Sequence, residues 1–322
     1  MDKKISVIIP VYNASALIDR CLDSVLSQNG EYELEVICID DGSTDDSVAI
    51  IERRNDSRIK LLRQENAGPA SARNRGIEVA TGKYLAFIDA DDYWLPNFLS
   101  ATVNFLESNE PCVAVSVAQK HLTTTGEHEA PYQWSTLAPE NGCILEDFYS
   151  FWSAHNHICT GSILIRTDIA KQSGGQRPDL RICEDLEYWA LIASYGKVGY
   201  IPQLLFVSDG SKVTQNIGWV KKNLPRWNSA VPVDVWEKRI VEKDPSIKKN
   251  PGYIRARGRI AKNLAYSILL SKRYSLAKSE IKQYGNSYPD DRVAKILRLA
   301  ARNAFFWVVL SRLLVYREYH RK

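Results

Sequence analysis

The chain has 322 residues, 45% hydrophobic and 25% charged, as in an ordinary globular protein with room for two domains or one domain and an accessory region. Its net charge of +4 hides an asymmetry: residues 218–322 hold 24 Lys and Arg against 8 Asp and Glu, whereas residues 1–217 carry a net −12. An acidic main body argues against a general nucleic-acid binder. No apolar run approaches the roughly 18 residues of a membrane span, and Met-Asp-Lys-Lys leads straight into a strand pattern with no signal peptide. The cysteines are scattered without a C-x-x-C pair, which predicts buried thiols in a reducing compartment.

In chain order, Ile5–Asn13 is an apolar, β-branched run that reads as a buried parallel strand. Leu17, Ile18, Cys21, Leu22, Val25 and Leu26 recur at helical spacing up to about Gln28. A second strand over Leu34–Asp40 meets Asp41-Gly42-Ser43-Thr44-Asp45, turn chemistry leading into a helix around Ser47–Arg54. Ile59–Leu62 is a third strand, and Gly68-Pro69 opens a helix that Thr81-Gly82 ends. Leu85–Ile88 is a buried strand stopping at Asp89, Asp91 and Asp92, followed by a helix from near Pro96 through Phe105. This alternation predicts a mainly parallel, Rossmann-like α/β sheet with helices on both faces. Beyond Cys112 the spacing predicts strands at Val113–Val117, Ile158–Arg166, Val198–Ile201 and Leu204–Val207, with helices after Thr167 and over Asp185–Tyr195. The polar 121–141 stretch takes no assignment, and the chain past Gln215 is basic, aromatic and mostly helical.

Carboxylates at the carboxyl end of a core strand sit where α/β sheets bind ligands, and they are costly there unless neutralised. Asp89 and Asp91, two apart, can share one hard cation and leave coordination positions for a phosphate. A plain turn with a helix cap is the other reading of the same residues. Tyr12-Asn13, Asp40-Asp41, Asp89-Ala90-Asp91 and Glu184-Asp185 are all expected to end strands on one sheet edge.

Together with Asn66-Ala67-Gly68-Pro69 and Ala72-Arg73-Asn74-Arg75-Gly76, these segments resemble family 2 glycosyltransferases over roughly the first two-thirds of the chain. The resemblance implies a GT-A fold and a nucleotide-diphosphate sugar, such as a UDP- or GDP-sugar, as donor. It implies that Asp41 contacts the base in a pocket lined by Pro10, Tyr12 and Asn13, and that Arg73 lies near the sugar-phosphate. It makes Asp89 the ribose contact and Asp91 the ligand of Mn²⁺ or Mg²⁺ bridging to the diphosphate. Asp92 is expected as a helix-start carboxylate. Glu184-Asp185, with Tyr188 and Trp189 one turn on, resembles the acceptor-side motif, in which the Asp is the general base of an inverting transfer. The expected layout is a catalytic domain over 1–217, divided into a nucleotide-sugar half (1–112) and an acceptor half (113–217), followed by the basic helical region 218–322.

The chain departs from the family pattern in two places. After the last strand, where an Arg or His often holds the diphosphate, only Lys212 is available. Asn223-Leu224-Pro225-Arg226-Trp227 resembles the Gln-x-x-Arg-Trp signature of processive synthases, with Asn for Gln; Trp227 either stacks on an acceptor sugar or simply packs. His155 and His157 lack a third zinc ligand at sensible spacing. The basic, aromatic 290–322 segment either lies on an anionic membrane or packs on the protein. The expectation is a cytoplasmic enzyme at the inner membrane face, acting on a glycan or lipid-linked acceptor in surface-polysaccharide assembly. Its rivals are a sugar-nucleotidyltransferase, disfavoured because Val11–Ser15 is not Gly-rich, and an inactive sugar-nucleotide-binding or scaffolding protein.

Overall fold

The computed structural model describes residues 3–123, 126–130, 139–154, 158–210 and 219–320. The chain divides into two compact units. The first comprises Met1–Phe148, His155–Pro178 and Tyr188–Val213; the second comprises Tyr149–Ala154, Asp179–Glu187 and Thr214–Lys322.

The elements run β1 (Lys4–Val11), α1 (Ile18–Leu26), β2 (Glu33–Asp40), α2 (Ser47–Arg53), β3 (Ile59–Arg63), α3 (Pro69–Val79), β4 (Tyr84–Phe87), β5 (Tyr93–Trp94) and α4 (Phe98–Ser108). There follow β6 (Cys112–Thr123), β7 (Gly126–Ala130), β8 (Cys143–Ile144), α5 (Phe148–Ala154), β9 (Ile163–Arg166), α6 (Thr167–Gln172), α7 (Glu184–Ile192) and β10 (Lys197–Asp209). The sheet order is β3-β2-β1-β4-β9-β6-β10-β5, with β7 beside β6 and β8 beside β10. Strands β3, β2, β1 and β4 are mutually parallel, whereas β9 runs antiparallel to both β4 and β6. The expected mixed, mainly parallel sheet is therefore present. Ile5, Val7, Ile9, Val36, Cys38 and Ala86 are fully buried in its core, which is why these strands read as continuous apolar runs. No disulfide joins any of the six cysteines.

Three local expectations change. The two closing strands are one long strand, β10, with register shifts against β6 between Ile201 and Phe206, where Pro202-Gln203 interrupts the apolar pattern. Within the unassigned stretch, residues 121–123 end β6 and residues 126–130 form its antiparallel partner β7. Glu184 and Asp185 do not end a strand but open helix α7.

The second unit continues with α8 (Trp219–Asn228), α9 (Val233–Trp236), α10 (Lys238–Lys243), α11 (Pro251–Leu270), α12 (Tyr274–Tyr284), α13 (Arg292–Arg302) and α14 (Ala304–Tyr319). Its core is built on Trp236, Tyr253, Leu264, Ile268 and Leu297, all fully buried. The basic tail is two helices, not one. Asn303 is extended, and its side-chain oxygen accepts hydrogen bonds from the amides of Phe305 and Phe306, ending α13 and capping α14.

Candidate functional site

Parallel pairing brings the carboxyl ends of β1, β2, β3 and β4 to one edge of the sheet in the first unit. Val11 pairs with Asp40, and Asp40 with Arg63, while Ile8 pairs with Phe87. The loops leaving these strands are fastened to one another. Asn13 sits in the left-handed region (φ 50°), which Asn tolerates, and its side-chain oxygen accepts from the Thr44 amide at 2.8 Å. Its own amide donates to Ser43 Oγ, and the Ser15 amide donates to Asp45. Burial alone would raise the Asp45 carboxyl, but hydrogen bonds from Ser47 and Ser15 outweigh it and hold it down to about 2. The Tyr12 ring projects from this clasp with 53% exposure, and Pro10 is half-buried.

Asp41 is buried and organises the next loop. One carboxylate oxygen accepts from Gln64 Nε2 (2.7 Å) and the Ala67 amide (2.9 Å), and the other from the Gly68 amide (2.8 Å). Its charge is thus matched by main-chain donors immediately before α3. That helix lies tight on β1: a Cβ at Gly76 would stand 2.5 Å from the Ile8 side chain. Arg73, on the same helix, is buried and donates to Asp89 Oδ1 (2.5 Å) and Gln176 Oε1 (3.1 Å). Asn74 fixes Gln176 in turn through a reciprocal pair with its amide and carbonyl. Glycine is needed beforehand, because Gly175 has φ +75° and a Cβ there would meet Asn74.

The turn after β4 concentrates negative charge. Burial, then Asp89 and Asp209, raise the Asp91 carboxyl; burial, then Asp89 and Asp91, push Asp92 up to about 8. Asp92 is not a helix-start carboxylate: it is buried, followed by β5, and accepts the Asp209 amide at 2.8 Å. Arg20 of α1 closes the arrangement. It donates to Asp209 Oδ2 and to the Asp91 carbonyl, both at 2.6 Å, and its guanidinium lies 4.6 Å from the centre of the Tyr93 ring. With Asp92 kept largely protonated at neutral pH, two guanidiniums face the carboxylates of Asp89, Asp91 and Asp209, which still leaves the turn short of positive charge. All the donors are hard oxygens, which suit Mg²⁺ or Mn²⁺. Among the described residues no three His, Cys, Asp or Glu converge as a complete cage, so a cation held here would need oxygens from a ligand.

The profile of glycosyl transferase family 2 matches residues 6–172, which contain β1 to β4 and the loops at their carboxyl edge. The chain belongs to that family. That family is one of glycosyltransferases, and the chain has the GT-A fold, with which the solved structures agree. TarS 1–349 of S. aureus in complex with UDP-GlcNAc has a TM-score of 0.68 at 17% identity, covering 98% of this chain and 91% of that one. Its complex with UDP has a TM-score of 0.66, with 98% and 89% covered. The uncharacterized glycosyltransferase YibD of Escherichia coli K12 is 45% identical over 126 residues, 38% of this chain and 36% of YibD. The Escherichia coli UDP-Glc:alpha-D-GlcNAc-diphosphoundecaprenol beta-1,3-glucosyltransferase WfaP is 36% identical over 130 residues, 39% of this chain and 51% of WfaP. The chain thus spans about half or less of the length of these two relatives.

Asp41, Asp89 and Asp91 follow strands at one sheet edge, as three of the four expected segments do, and Arg73 reaches Asp89 from α3. Arg20, Gln176, Asp209 and the burial of Asp92 were not predicted. Glu184 and Asp185 belong to the second unit, on the first turn of α7. There Cys183 adopts φ 58°, and its carbonyl accepts from Trp236 Nε1 (2.9 Å) and the Glu187 amide (3.0 Å). Glu187 is buried and held by a two-pronged bond from Arg239 at 2.9 and 2.6 Å. His155, His157 and Lys212 lie outside the described residues.

Neither tryptophan expected at the acceptor presents an open face. Trp189 is 1% exposed, with its ring 6.2 Å from that of Phe87. Trp227 is 6% exposed and packs beside Tyr319 in the second unit. Both are core positions. Trp189→Ala is expected to destabilise the fold by about 3–5 kcal/mol in denaturant unfolding. A variant of unchanged stability but lost transfer would return Trp189 to an acceptor role.

Proposed function

We propose that the enzyme transfers a sugar from a nucleoside diphosphate, with inversion at the anomeric carbon, to a hydroxyl of a glycan or lipid-linked acceptor in surface-glycan assembly. The observation that carries this reading is the charge-deficient turn Asp89–Asp92 beside the clasped Tyr12–Asp45 loops and the Asp41-centred loop. Base and ribose would lie along Pro10, Tyr12, Asn13 and Asp41, with Asp89 at the ribose. Asp91 is the proposed ligand of Mn²⁺ or Mg²⁺; when bound, the cation offsets charge developing on the departing diphosphate. Arg73 orients Asp89, and Arg20 holds the Asp91 main chain and Asp209, so the turn's geometry is set before substrate arrives. Asp185 is the proposed base that takes the proton of the attacking hydroxyl.

The relative WfaP, a UDP-glucose enzyme with a diphosphoundecaprenol-linked acceptor, and the UDP and UDP-GlcNAc in the TarS crystals favour a uridine diphosphate sugar. The test is a panel of UDP- and GDP-sugars with added Mn²⁺, read as binding by calorimetry and as release of nucleoside diphosphate. One UDP-sugar is expected to bind and turn over. A panel with neither binding nor turnover would remove the donor assignment.

A further inference from the structure

Ten large hydrophobic side chains stand exposed among the described residues, and seven of them fall between Leu299 and Tyr316. Helix α14 explains the concentration. Its buried positions, Trp307, Ser311, Val315 and Glu318, recur at helical spacing and form one face. The opposite face carries Phe305, Val309, Arg312 and Tyr316, flanked by Phe306 and Leu313. A surface helix normally turns polar groups outward, so an outward apolar stripe marks an interaction surface. Preceding it in the chain, the exposed positions of α13 are Arg292, Lys295, Leu299 and Arg302, which share a face by spacing. Arg302 and Arg312 are exposed and have no partner among the described residues.

We infer that this face seats the protein on an anionic lipid surface. Aromatic and aliphatic side chains mixed with unpaired arginines match the chemistry of an acidic headgroup layer over hydrocarbon. The 16 residues of α14 make a helix about 24 Å long, and no described helix is long and apolar enough to cross a membrane, so the helix lies in the interface. A second copy of the chain is the less favoured occupant. A symmetric pairing would bring together two regions of net charge +16 each. The inference does not depend on the donor or acceptor assignment.

The full chain is tested by flotation with vesicles of phosphatidylcholine alone or mixed with phosphatidylglycerol, at low and high salt. It is expected to float with the mixed vesicles only, and less at high salt. Replacing Phe305 and Phe306 together by Ser is expected to lower partitioning at least about tenfold. Arg302→Gln and Arg312→Gln should each lower it about fivefold. Unchanged melting and elution of the variants would show that the face, not the fold, has been altered. Absence of flotation with anionic vesicles, or flotation that the variants leave intact, overturns the proposal. So does a wild-type dimer in light scattering that the Phe305/Phe306 variant dissociates, because that would give the face to a second copy.

Discussion

Asp91→Asn is expected to lower sugar transfer by about a hundredfold to a thousandfold, while the metal-free protein becomes slightly harder to melt. The two effects have one origin. Asp91 is half-buried, and burial, then the charges of Asp89 and Asp209, work against its ionisation. Replacing it with a neutral isostere removes that repulsion. The gain, on the order of 1 kcal/mol, corresponds to a rise of about 2–4 °C in melting temperature for a domain of this size. The proposed metal role uses the repulsion, because a turn whose charges were already balanced would hold a cation poorly. Product formation at saturating donor and Mn²⁺, with a thermal melt in EDTA, gives both readings. Near-normal transfer by Asp91→Asn would take the metal role away from this residue. A lowered melting temperature would show that Arg20 and Arg73 already neutralise the turn.

How far this arrangement was legible in the sequence depended on distance along the chain. Asp89 and Asp91 stood out because four buried apolar residues lead straight to them, and parallel strands must deliver their ends to one edge. Asp41 was legible for the same reason. Arg20 was not. On helical spacing it is a polar-face residue of α1, and its role exists only because β10 ends beside the turn. Asp92 was misassigned because its hydrogen-bond partner, Asp209, lies 117 residues away. The resemblance to the acceptor-side motif places Trp189 at the acceptor, but the sequence of α7 does not say which side meets the sheet. Phe87 settles that through packing. The break at Asn303 carried a visible signal, an Asn between two helical stretches, but the apolar residues beyond it continued the periodicity and masked it.

Asp185→Asn is expected to lower kcat by about a hundredfold to ten-thousandfold and leave the KM for the nucleotide sugar nearly unchanged. The residue sits on the first turn of α7. A carboxylate can take the proton as the hydroxyl oxygen begins to bond to an oxocarbenium-like carbon. The local backbone is held from three directions: by the left-handed Cys183, by Trp236 on its carbonyl, and by Glu187 clamped to Arg239. Such bracing is what a base requires, since a small displacement from the attacking hydroxyl costs much of its effect. Glu184 shares the turn and provides the internal control. Glu184→Gln should retain most of kcat, because its neighbour still supplies the base. Kinetics of the two variants, calorimetric titration with UDP, and the anomeric configuration of the product by NMR separate the possibilities. Loss of kcat in Glu184→Gln but not Asp185→Asn would move the base by one residue. A product that retains the donor's anomeric configuration would remove the single-base mechanism altogether.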